Sequence, residues 1–107
     1  MRHLIAALET TKAHWAHGVY ALWFPITHRT ALEDFYRRLE KTGIRKILVS
    51  ELCVRPPRTA HGLNGSVMAM INPPWQLERR LEECLPWLCQ ALEEENGSQR
   101  CGWLVPE

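Results

Sequence analysis

Long hydrophobic runs are missing from this chain. The apolar stretch near its start, Leu4 to Leu8, ends at Glu9 after five residues. That is too short for a signal-peptide core and far short of a membrane span, so the chain reads as cytoplasmic, with no membrane partner. Charge of one sign is missing too. Thirteen Lys and Arg stand against 12 Asp and Glu, and a net charge of +1 gives no strong overall attraction for nucleic acid. Cysteine is sparse. Cys53, Cys84, Cys89 and Cys101 form no C-x-x-C pair, which argues against a disulfide framework or a zinc knuckle and for buried free thiols. The chain also lacks G-x-G-x-x-G, P-loop, G-x-S-x-G and H-E-x-x-H motifs. His14-x-x-His17 has no third ligand near it, and a histidine ending a helix is its simpler reading. No repeat, low-complexity tract or linker divides the sequence.

What is present is apolar enough to fold. Hydrophobic residues make up 46% of the 107 positions and include five tryptophans, which excludes disorder. A chain this size buries roughly 60–65% of its unfolded surface and builds one core, hence one domain. Charge is segregated along it. Residues 28–58 carry eight Lys/Arg against four acids, whereas residues 76–95 carry two arginines against six glutamates.

Helical spacing of Leu4, Ile5, Leu8, Lys12 and Trp15 predicts a helix over 2–15, stopped by Gly18. Val19 to Phe24 are six consecutive apolar residues closed by Pro25. Such a run predicts a strand buried on both faces in the middle of a sheet. Leu32, Phe35, Tyr36 and Leu39 predict a helix over 30–42, with Gly43 as its cap. Strands follow at 45–55, ended by Pro56-Pro57, and at 66–71, with the polar loop "RTAHGLNG" between them. A loop of that kind suits an antiparallel hairpin. Leu77, Leu81, Cys84, Leu88 and Leu92 mark one face of a long helix in which Pro86 predicts a kink or break, and "CGWLV" reads as a last short strand. The order α-β-α-β-β-α-β predicts an α/β fold with a mixed sheet.

Asn72-Pro73-Pro74-Trp75 carries the sharpest chemistry. An amide oxygen and a proline carbonyl can accept the two protons of an adenine amine while the aromatic ring stacks on a flipped base. The same residues also suit a helix start, with Asn as cap and Pro in the first turn. If strand 66–71 runs antiparallel to its neighbours, the tetrad sits on the rim opposite the one where α/β sheets bind ligands. His28 and Arg29 follow the first strand on the ligand-binding rim. Arg55, Arg58, His61 and Asn64 lie on or beside the loop after the second strand and would form a basic lip suited to RNA phosphates.

"GVYALWFPI", "LEKTGIRKILVSEL", "GLNGSVMAMINPPWQLE", "LPWL" and "WLVPE", in that order, resemble the C-terminal part of the RlmJ family of bacterial 23S rRNA adenine-N6 methyltransferases. The resemblance runs over essentially all of the chain. It implies the C-terminal half of a Rossmann-like class I fold that uses S-adenosylmethionine and acts on 23S rRNA. It further implies that the cofactor strand and the catalytic Asp-Pro-Pro-Tyr precede the region present here, so that no cofactor is expected on this chain alone. Asn72-Pro73-Pro74-Trp75 matches the family's second, non-catalytic tetrad, and Arg29 matches a basic residue after the first strand, whereas His28 has no counterpart. The expected partners are the missing N-terminal half or, through residues 18–24, another copy of the chain. A non-catalytic α/β interaction or RNA-binding module derived from the same fold is the alternative.

Overall fold

The computed structural model describes residues 5–7, 10, 18–56, 63–94 and 96–106. Their strands and long helices follow in the order β1 (Tyr20–Ile26), α1 (Arg29–Lys41), β2 (Ile47–Cys53), β3 (Gly65–Ile71), α2 (Leu77–Leu92) and β4 (Ser98–Val105). Of the predicted N-terminal helix, residues 5–7 and 10 are helical and Ile5 packs on the core; the rest lies outside the described residues.

The strands form one sheet in the order β1-β3-β2-β4. All three pairings are antiparallel. This corrects the expected mixed sheet, and the reason is topological. α1 returns the chain so that β2 points the same way as β1, but β3 inserts between them and runs against both. No parallel pair is left to hydrogen-bond. β1 is an edge of this sheet: its apolar run alone suggests the middle, whereas an open edge is what the expected pairing through residues 18–24 requires. Its exposure alternates, with Leu22, Phe24 and Ile26 turned to the core and Ala21 and Trp23 to solvent.

α1 forms where expected because Leu32, Phe35, Tyr36 and Leu39 fall on one face, and all four are buried. Gly43, at φ 76, turns the chain out of the helix in the left-handed conformation that costs glycine least. The core lies between this helix and the sheet face carrying Ile26, Ile47, Val49, Val67, Ala69 and Ile71. Phe24 stacks on Phe35 with ring centres 4.4 Å apart.

α2 lies against β2 and β4. It runs unbroken through Pro86, which excludes the break, one of the two outcomes expected there. Pro86 is exposed, so the carbonyl one turn earlier that loses its donor faces water. The buried line on α2 is Leu85 and Cys89, while Cys84 and Leu92, two of the residues expected inside, are exposed. Together with fully buried Leu48, these two cover the second face of the sheet over β2 and β4. Over β1 and β3 that face carries Trp23, 53% exposed, and the half-buried Met68 and Met70, with no helix among the described residues packed on it.

Candidate nucleic-acid interface

Two rims of the sheet carry the predicted site residues, and the antiparallel course of β3 assigns each to its place. Ile71 pairs with Tyr20 and Ile47, at the starts of β1 and β2, so Asn72-Pro73-Pro74-Trp75 leaves the sheet at their amino ends. His28, Arg29 and Arg55 follow the carboxyl ends of the same strands, on the opposite rim. Arg58 and His61 lie outside the described residues.

At the first rim the tetrad is a turn, not a helix cap. Asn72 is left-handed, at φ 55, and its amide donates to the Lys46 carbonyl at 3.0 Å. Pro73 is buried, whereas Trp75 is 88% exposed. The helix begins only at Leu77, after Gln76, which is itself left-handed and makes no side-chain cap. The proline-first-turn reading is therefore corrected: the two prolines stiffen a connection that ends before the helix starts.

At the second rim, Asn64 binds three segments together. It has no exposed surface; its side-chain amide donates to the Thr27 carbonyl at 2.5 Å and its carbonyl oxygen accepts from Arg55 Nε at 3.0 Å. Its backbone amide reaches Ile26 and its backbone carbonyl takes the Val54 amide. Burial removes Asn64 from direct contact with any ligand. Arg55 is held as fully: its Nη1 meets Glu94 at 3.2 Å and its Nη2 the Leu63 carbonyl at 2.6 Å. His28 occupies the position before α1 without a side-chain cap.

Arg29 belongs to a cluster that the sequence does not announce. Glu51, on the core side of β2 and 4% exposed, accepts from Arg29 Nη1 at 3.1 Å on one oxygen. The other oxygen takes Tyr36 OH at 2.5 Å and Arg100 Nη1 at 3.1 Å. Burial, and then the bond to Glu51, push the Tyr36 phenol far above its ordinary range, so it stays a neutral donor. The same carboxylate strengthens the charge of Arg29. Arg100 and Glu51 meet through the pairing of β2 with β4, across 49 positions of sequence. No local motif could have disclosed that.

Other chemistry is less favoured. Burial raises the thiols of Cys53 and Cys101, the opposite of what a nucleophile requires. Cys53 and Cys89 are the buried pair of free thiols, Cys84 being exposed and Cys101 intermediate. Among the described residues no group of three or more His, Cys, Asp or Glu is placed to hold a metal, and no helix is long and apolar enough to cross a membrane. Glu51 is buried and already engaged by three donors, and so is closed to further hydroxyl donors.

Fold and site together define a small α/β unit with an antiparallel sheet, one rim of which presents arginines. A sequence model of the family described as "Ribosomal RNA large subunit methyltransferase D, RlmJ" matches residues 1–105. The chain belongs to that family. It is 42% identical over 105 residues to the ribosomal RNA large subunit methyltransferase J of Haemophilus influenzae, and 44% identical over 105 residues to that of Escherichia coli K12. Each alignment takes in 97% of this chain but only 37% and 38% of the respective relative, so the chain spans less than two fifths of their length. A crystal structure of a Legionella pneumophila protein superposes with a TM-score of 0.83 over 95% of this chain and 38% of the other, at 20% identity, which bears on fold alone.

Proposed function

We propose that the chain is the C-terminal portion of an S-adenosylmethionine-dependent 23S rRNA adenine-N6 methyltransferase, a single partial domain that is inactive alone and works in the cytoplasm beside the ribosome. In this reading the four strands continue a Rossmann-like sheet outward from β1. The donor pocket and the catalytic tetrad lie in the remainder, and the rim with Arg29 and Arg55 faces the rRNA, with Arg58 and His61 of the following loop as further RNA-binding candidates. The match over residues 1–105 to relatives more than twice as long is the observation that carries it. Asn72 has no catalytic part, because it turns the chain on the other rim.

Titration calorimetry and a methyl-transfer assay test this. The 107-residue chain should give no heat with S-adenosylmethionine and no methylation of 23S rRNA. Transfer should appear when the N-terminal portion of a relative is supplied with it. Donor binding by the chain alone would refute the reading.

A further inference from the structure

The structure points to more than a buried ion pair at Glu51. Charge balance there requires one cation, since Tyr36 already satisfies the second oxygen as a neutral donor. Two arginines share this one carboxylate, with Glu33 acting more weakly on Arg29. Both remain half in solvent, with side-chain exposures of 47% for Arg29 and 55% for Arg100. Each uses one nitrogen, Nη1, on Glu51. The rest of each planar fork is left for another acceptor.

Two guanidinium groups would ordinarily stay apart. Here the two oxygens of one buried carboxylate anchor them, each at 3.1 Å, and hold them next to each other. Side chains so restrained lose little freedom when they meet an anion, which favours binding. Arg55, also on this rim, has each of its side-chain nitrogens engaged within the protein and is the poorer ligand group.

We propose that Arg29 and Arg100, aligned on Glu51, form a clamp for the phosphodiester backbone of RNA. This rests on the reading of the rim as RNA-facing and adds to it the residue Arg100 and the means of orientation. Arginine forks match phosphate oxygens, and bonds of this kind position a nucleic acid without reading its sequence.

The test is the binding of a short single-stranded oligoadenylate to the chain, followed by fluorescence anisotropy across a series of salt concentrations. Removing one arginine that neutralises a phosphate should lower the slope of log affinity against log salt by about 0.7. Arg100→Gln and Arg29→Gln should each do so, while Arg79→Gln, on α2, should leave it unchanged. Arg100→Lys should keep the slope and weaken affinity, because charge persists and the fork does not. If Arg100→Gln fails to fold, Arg29→Gln decides on the same criterion. A salt-dependent wild type whose slope neither Gln variant alters overturns the clamp and leaves the RNA-facing rim to other cations. A wild type with no salt-dependent binding removes the RNA-facing rim itself, and the clamp with it.

Discussion

Tyr36 shows how one residue couples stability to pH in this molecule. Its phenol is buried and donates to Glu51, so its folded pKa is raised above the ordinary 10.0. For a group shifted upward, the native state holds its proton more tightly than the unfolded chain. The stabilisation is complete below the ordinary value and is lost as pH rises toward the folded one. Urea midpoints should therefore begin to fall at about pH 10 and go on falling above it. Cys53 and Cys101, raised from 9.0 by burial, add to the fall with the same sign. Tyr36→Phe should cost about 1–2 kcal/mol at neutral pH, since Glu51 keeps its two arginines, and should flatten the alkaline fall. An unchanged fall in that variant would show the decline to be thiol-driven. At this scale Arg29 was legible, because a basic residue directly after an apolar strand falls on the rim. Glu51 and Arg100 were not: the first looks like an ordinary acid in a strand, and the second reaches it only through tertiary pairing.

Among the elements, α1 and the β2–β3 hairpin could be read from the chain, because periodicity and a polar, glycine-punctuated connection are local signals. The buried line of α2 could not. Two apolar stripes lie side by side on that helix, one through Cys84, Leu88 and Leu92 and one through Leu85 and Cys89, and sequence does not say which meets the sheet. The start of α2 carries its own strain. Gln76 sits at φ 68, where a side chain costs and glycine does not. Gln76→Gly should stabilise the fold by about 0.5–1 kcal/mol, seen as a raised thermal midpoint. Gly65→Ala should do the reverse. A methyl group there would lie 2.6 Å from Cys53 Cα and closer still to the Leu52 carbonyl oxygen, both backbone atoms that cannot yield without disturbing the sheet.

Taken whole, the molecule is a slab of 42 × 30 × 15 Å with a radius of gyration of 14.1 Å. A compact chain of this length would have about 13 Å. The excess fits a sheet whose second face, among the described residues, is covered by α2 over β2 and β4 but leaves Trp23 of β1 exposed. Sedimentation of the 107-residue chain should show concentration-dependent association, and Trp23→Lys, on the bare face of the edge strand, should shift it to the 12.4 kDa monomer. A wild type already uniform at that mass would refute this. The apolar run by itself does not disclose that β1 lies at an edge, since such a strand reads alike whether its faces are covered or bare; the open edge follows from the resemblance, which places its outer neighbour before the region present here.

The bonds at the two rims have one further effect. Val54 to Asn64 at one end and Lys46 to Asn72 at the other continue the alignment of β2 with β3, so that hairpin is pinned fore and aft. Sliding β2 by a single position would turn Glu51 to the wrong side and strand both arginines without their anchor, and sliding β3 would bury Met68 in place of Val67. The pins thus guard the clamp from a distance: damage to either turn would scatter a pair of guanidinium groups that neither turn touches.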